Sequence, residues 1–212
     1  MAIDLLKKGK FEPIDEQFIT VSLDVFQWVS KIQKEYDKWD TDTFMNEVRD
    51  SIAAKFLNFT HINIEKHGFD ARRSNWIDYD YLEVKSASFN ADTWWATFND
   101  TNQDKANAFK QDNVYLCLSL RKYASDPVFF AFGKNDKIWS FLENKMINRP
   151  SWSRSTQSIS LQNLVVEYWF TIYSVNKDVK DLFTILQMKK WCKKIPISSI
   201  KMITDLKKWK SK

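Results

Sequence analysis

Apolar positions recur at helical spacing in two places near the start of the chain. Phe18, Val21, Val25, Val29, Ile32 and Tyr36 keep a three-to-four-residue rhythm after Pro13, and Phe44, Val48, Ile52 and Phe56 resume it after the polar break DTDT. Two helices are predicted there. The pattern then shortens to strands: THINIEKHG, closed by Gly68; WIDYDYLEVKSAS; and NVYLCLSL, which alternates around Leu116, Leu118 and Leu120. Between the last two lies NDTNQDKANAFKQ, read as a crossover helix that lets the flanking strands run parallel.

Further on, DPVFFAFGKNDKIWSF has the form of a hairpin turning at Gly133 to Asp136, which adds mixed character to the sheet. NRPSWSRSTQS breaks the periodicity as a loop, LVVEYWFTIYS reads as strand, and two helices finish the chain. The second of these starts after Pro196 and turns Ile200, Ile203 and Leu206 inward. The fold class is α/β, a central mixed β-sheet flanked by helices. With 212 residues, 44% hydrophobic and 16% aromatic, the chain has material for one core, and a single domain over residues 1–212 is the default.

Scarcity removes several chemistries. The only glycines are Gly9, Gly68 and Gly133, so neither a phosphate-cradling GxxxxGK loop nor a GxGxxG dinucleotide fingerprint can be written, and a GxSxG nucleophile elbow is missing too. Two histidines, His61 and His67, give little material for a histidine-dependent triad or a zinc site. Cys117 is expected in a buried strand and Cys192 in a lysine-rich helix, which argues against a disulfide framework. No stretch is apolar enough for a membrane span and the first residues lack a signal-peptide pattern, so no membrane partner and a cytoplasmic location are expected.

Charge is uneven. Residues 189–212 hold nine lysines against Asp205 alone, a net of +8 in a chain whose total is +5. A basic end on an otherwise mildly acidic protein suits contact with a polyanion, because lysines near phosphates release condensed counterions; the alternative is a solvated amphipathic helix end.

The segment DYDYLEVKSAS carries Glu83 and Lys85 on one side of a strand and Leu82 and Val84 on the other. One side is set for burial and the other for chemistry. The longer stretch HGFDARRSNWIDYDYLEVKSAS, an aspartate after a strand and turn and then a strand bearing Glu-x-Lys, resembles the PD-(D/E)xK motif of many type II restriction endonucleases, with Phe69 where the family has Pro. The resemblance spans about residues 44–140 and leaves residues 148–212 for a recognition loop and a basic helical part. It implies that Asp70 and Glu83 hold Mg²⁺ and that Lys85 orients the attacking water, with a pKa lowered by its surroundings. Asp78 and Asp80 compete with Asp70 for the first position. Asp78, however, is five residues before Glu83, which leaves no room for a turn, and both face away from Glu83 on a regular strand.

The residue types suit phosphodiester hydrolysis. That reaction needs a nucleophilic water, stabilisation of added negative charge and in-line geometry, and a hard divalent cation held by two carboxylates assists all three. The resemblance also implies an additional carboxylate from the preceding helix, for which Glu47 is the candidate, since Ser51 and Ala54 continue its face with small residues. Arg149, Arg154 and Gln157 are candidates for base or phosphate contacts, and Arg72 and Arg73 for contacts near the scissile phosphate. Trp94 and Trp95 either wall the cleft or pack in the core. The expected function is Mg²⁺-dependent cleavage of double-stranded DNA at a short specific sequence by a homodimer. A structure-selective or repair nuclease, an RNA nuclease and a non-enzymatic DNA-binding protein are the alternatives.

Overall fold

A computed structural model describes residues 16–37, 41–62, 69–123, 125–134, 138–147 and 155–208. The chain divides into two compact units, residues 1–45 and residues 46–212. The first contains α1 (Glu16–Glu35), a helix whose large apolar residues Phe18, Val21, Val25, Trp28 and Ile32 are exposed. α2 (Thr41–Leu57) begins in the first unit and runs into the second.

The second unit is built on a seven-stranded mixed sheet of order β1-β2-β3-β5-β6-β8-β9. Its strands are β1 (Thr60–His61), β2 (Ala71–Ser74), β3 (Tyr79–Ser88), β5 (Val114–Tyr123), β6 (Asp126–Lys134), β8 (Thr171–Ser174) and β9 (Ile200–Met202). A separate two-stranded ribbon joins β4 (Trp95–Thr101) to β7 (Ser155–Ser160). Helices α3 (Gln103–Phe109), α4 (Ile138–Ile147), α5 (Leu161–Val166), α6 (Val179–Met188) and α7 (Ile203–Lys208) complete it. Among the described residues no helix is long and apolar enough to cross a membrane.

β3 and β5 run parallel with Tyr81 opposite Val114, and β4 and α3 make the crossover between them. The crossover helix expected in NDTNQDKANAFKQ is α3; Asn102 starts it by accepting the Lys105 amide on Oδ1 at 2.8 Å, and Ala106 and Phe109 are its buried positions. The alternation in β5 divides two cores. Leu116, Leu118 and Leu120 join Phe98, Phe109, Phe129, Leu142 and Ile159 on one face, while Cys117 joins Ala53, Ala54, Leu57, Leu82 and Val84 on the other. A strand buried on both faces tolerates a near-continuous apolar run, which is what VYLCLSL supplies.

α2 ends at Asn58, whose φ of 65° reverses the chain so that the Phe59 amide reaches the Ala54 carbonyl at 2.8 Å. The residues of α2 that pack most tightly are Ala53, Ala54 and Leu57, whereas Val48, Ile52 and Phe56 are only half-buried. Small side chains bring this helix close to the sheet.

Four expected elements differ. The hairpin lies between β5 and β6, and Gly133 is inside β6: a Cβ there would stand 2.6 Å from the Phe170 ring, so close packing rather than a turn requires glycine. Ile138 and Leu142 then take helical spacing in α4 instead of forming a second hairpin strand. The end of the expected loop, residues 155–158, belongs to β7, and the start of the expected strand LVVEYWFTIYS is α5. Ser160 makes that switch by accepting the Asn163 amide on Oγ at 3.1 Å, which places Leu161, Leu164 and Val165 on one helical face. After Pro196 the chain makes a 3-10 turn (Ile197–Ser199) and the short strand β9 before α7, so the last helix starts later than its apolar spacing implied. Most of THINIEKHG lies outside the described residues.

Candidate active site

β2 begins at Ala71, opposite Leu82, so the register brings Asp70 level with Glu83. The Asp70 amide donates to the Leu82 carbonyl at 2.9 Å, and its carboxylate accepts the Val84 amide on Oδ2 at 2.6 Å. Where β2 gives out, a side chain takes the place of a strand carbonyl. Val84 turns its own side chain into the α2-side core, and strand alternation sends Glu83 and Lys85 to the opposite face. There Lys85 Nζ stands 2.5 Å from Glu83 Oε1, and Lys105 Nζ of α3 lies 3.9 Å from the same oxygen. The Phe98 ring of the ribbon, 5.7 Å from Lys85 Nζ, gives this pair an apolar floor.

A third carboxylate comes from α2. Asp50 lies close enough to Lys85, Arg121, Glu83 and Arg49 for each to act on its ionisation. Arg121 of β5 donates from Nη2 to the Arg49 carbonyl, tying α2 to the sheet beside Asp50. The sequence pointed to Glu47, one turn earlier, which is half-buried and whose carbonyl accepts the Ser51 hydroxyl at 2.7 Å. The overlooked signal was Asp50 one turn before Ala53 and Ala54: the smallest buried residues mark where the helix comes nearest the sheet.

Crowding sets the charges. Burial, with the neighbouring Glu83 and Asp50 carboxylates, raises Asp70 from 3.8 to about 7, although Lys85 and the Val84 amide oppose the shift. Burial likewise raises Asp50 to about 6, against the pull of Lys85 and Arg121. For Lys85, burial acts to lower the pKa, but Glu83, Asp70 and Asp50 outweigh it and the net direction is up. The expected lowering is therefore reversed: this lysine is held as a cation.

The other candidate residues separate. Arg72 is exposed, its guanidinium 4.4 Å from the Tyr79 ring. Arg73 braces the β2–β3 hairpin through Asp80, at 2.7 Å, and stacks on Phe59 and Tyr115. That pairing commits Asp80 to the hairpin, while Asp78 is exposed near its tip, where its amide donates to Asn75 Oδ1 at 2.6 Å. Arg149 and Arg154 lie outside the described residues. Gln157 is not on an exposed loop: it pairs with Phe98 across the ribbon, is buried, and its Nε2 has no hydrogen-bond partner. Trp94 packs in the core, stacked on Phe89, whereas Trp95 is exposed. Of the C-terminal lysines, Lys190, Lys193, Lys194 and Lys201 are exposed, and Lys189 is tied to the Ala91 carbonyl at 2.8 Å.

Among the described residues no three or more His, Cys, Asp and Glu side chains are grouped as ligands for one ion. Asp70 and Glu83 form a pair instead, and a magnesium ion that keeps most of its waters requires no more than one or two carboxylates. The mutual repulsion that lifts Asp70 to about 7 is what a divalent cation relieves, so the donor set fits such an ion. No protein-family model, curated protein or solved structure matches this chain.

Proposed function

We propose that this chain is a Mg²⁺-dependent endonuclease of the PD-(D/E)xK kind that cleaves double-stranded DNA at a short specific sequence. The observation that carries the reading is the convergence of Asp50, Asp70 and Glu83 on one lysine, with two of the three carboxylates raised toward neutrality. Such a cluster is costly to maintain in a fold and useful for chemistry at neutral pH.

In this reading Asp70 and Glu83 hold the cation, which when bound supplies charge stabilisation at the phosphoryl group and a water of lowered pKa. Lys85, as a persistent cation, donates a hydrogen bond to the attacking water and offsets negative charge gathering on the phosphate. Asp50, with a pKa of about 6, is a better proton acceptor than an ordinary aspartate and takes the proton of that water. The new bond joins the water oxygen to phosphorus, the 3′-oxygen leaves and is protonated from solvent, and the products are a 5′-phosphate and a 3′-hydroxyl. The exposed lysines at 190, 193, 194 and 201 support a polyanionic substrate.

The test is incubation of the purified chain with unmethylated phage DNA, with Mg²⁺ and with EDTA, beside Lys85→Ala. Discrete fragments from the wild type with Mg²⁺ alone, and none from the variant, are expected. Intact DNA in every lane overturns the reading, and a smear without discrete bands overturns its sequence-specific part.

A further inference from the structure

Projected at helical spacing, α1 has a continuous apolar stripe about 100° wide made of Phe18, Val21, Val25, Trp28, Val29 and Ile32, which Tyr36 extends beyond the helix end. Phe18, Val21, Val25, Trp28, Ile32 and Tyr36 are 42–66% exposed. Positions 18, 25 and 32, with 21 and 28 between them, repeat every seven residues, the period at which one helix seats its side chains along another. Ile19, Leu23 and Phe26 fall outside the stripe.

We infer that α1 pairs with α1 of a second copy of this chain, in an antiparallel two-fold arrangement. Two observations select a second copy over a foreign helix. The stripe is centred near residue 27, so two antiparallel copies that cover each other fully place their axis there. Asp24 and Lys31, of opposite sign and both on one edge of the stripe, stand almost symmetrically about that point. Each Asp24 then faces the other copy's Lys31, twice per pair, which is the self-complementarity a two-fold contact requires. A parallel pair would set Asp24 beside Asp24 instead. Lys31 already leans over the stripe, its Nζ 4.6 Å from the Trp28 ring.

The area suffices as well. With aromatic side chains of roughly 150–250 Å² and the aliphatic ones smaller, the exposed stripe offers on the order of 600 Å² per copy. A pair buries about 1,200 Å², the lower edge of stable interfaces.

Sedimentation equilibrium on the full chain, without DNA or metal, tests the pairing independently of any nuclease activity. The wild type should sediment at twice the chain mass in the micromolar range, and the double variant Val25→Glu/Ile32→Glu as a monomer. Asp24→Lys should weaken the dimer about tenfold by setting like charges together twice. Asp24→Lys combined with Lys31→Asp should return the dissociation constant to within about threefold of wild type, a recovery that misfolding cannot produce. A wild type that is monomeric throughout overturns the inference. So does an Asp24→Lys chain that dimerises normally, or a combined variant that fails to recover.

Discussion

The Asp70 carboxylate accepts the amide of Val84 at 2.6 Å, and Val84 is the residue between Glu83 and Lys85. This bond fixes the first carboxylate of the motif to the strand that carries the other two charged groups. It also leaves Asp70 with its second oxygen for other work while holding it in a site that raises its pKa to about 7.

Asp70→Asn should separate stability from activity. Removing one of three crowded carboxylates relieves repulsion, and an asparagine oxygen still accepts the Val84 amide. At pH 8 without metal, the melting temperature should rise by a few degrees, on the scale of about 1 kcal/mol for 2–4 °C in a chain of this size. Cleavage should fall below detection. A variant that melts lower than wild type at pH 8 would show that the Asp70 charge stabilises the fold.

The metal-free protein should lose stability as pH rises. Asp70 and Asp50 stand at about 7 and about 6 against an ordinary 3.8, so between those limits the native chain binds more protons than the unfolded one. Stability therefore falls across that window and is highest at its acid end. Lys85, raised above 10.5, adds no slope there. Thermal melts in EDTA from pH 5 to pH 8 read this directly, and added Mg²⁺ should restore most of the loss at pH 8 by binding only the folded site. A flat profile in EDTA contradicts the crowding.

On α2, alanine scanning should single out Asp50. Asp50→Ala is expected to reduce the cleavage rate by about 10²-fold or more, the usual scale for a positioned base, whereas Glu47→Ala should change it less than about threefold. Equal losses at both positions would assign the helix carboxylate a shared role.

Gln157→Met should stabilise the fold. The glutamine amide is buried in the apolar floor beside Phe98 with Nε2 unpaired, a situation that costs roughly 1–3 kcal/mol, and methionine fills a similar volume without the donor. The expected gain of a few degrees is read by thermal denaturation. A drop instead would mean that the amide has found a partner in solution.

The alternation of Leu82 and Val84 with Glu83 and Lys85 was legible in the sequence because a strand's period of two is written residue by residue. The parallel pairing of β3 with β5 was also legible, since a helix-forming segment separates two apolar runs. Gly133 was misread because its need for glycine comes from the Phe170 ring, a partner distant along the chain. Ser160 was missed as the switch from β7 to α5 because a loop serine and a helix cap look alike until the following Leu161, Leu164 and Val165 are read at helical spacing. Asp50 was passed over for the same kind of reason. Its charge is evident, but its proximity to Lys85 depends on how closely Ala53 and Ala54 let the helix approach.

The ribbon that floors the site joins Trp95 to Ser160. During synthesis, Asp50, Asp70, Glu83 and Lys85 have all been made by residue 85, whereas β7 follows at Ser155–Ser160. Closing so long a loop must wait for that strand to emerge. A nascent chain thus gathers its charged groups early and confines them late, so the ribosome releases a protein whose site has only just been sealed from below.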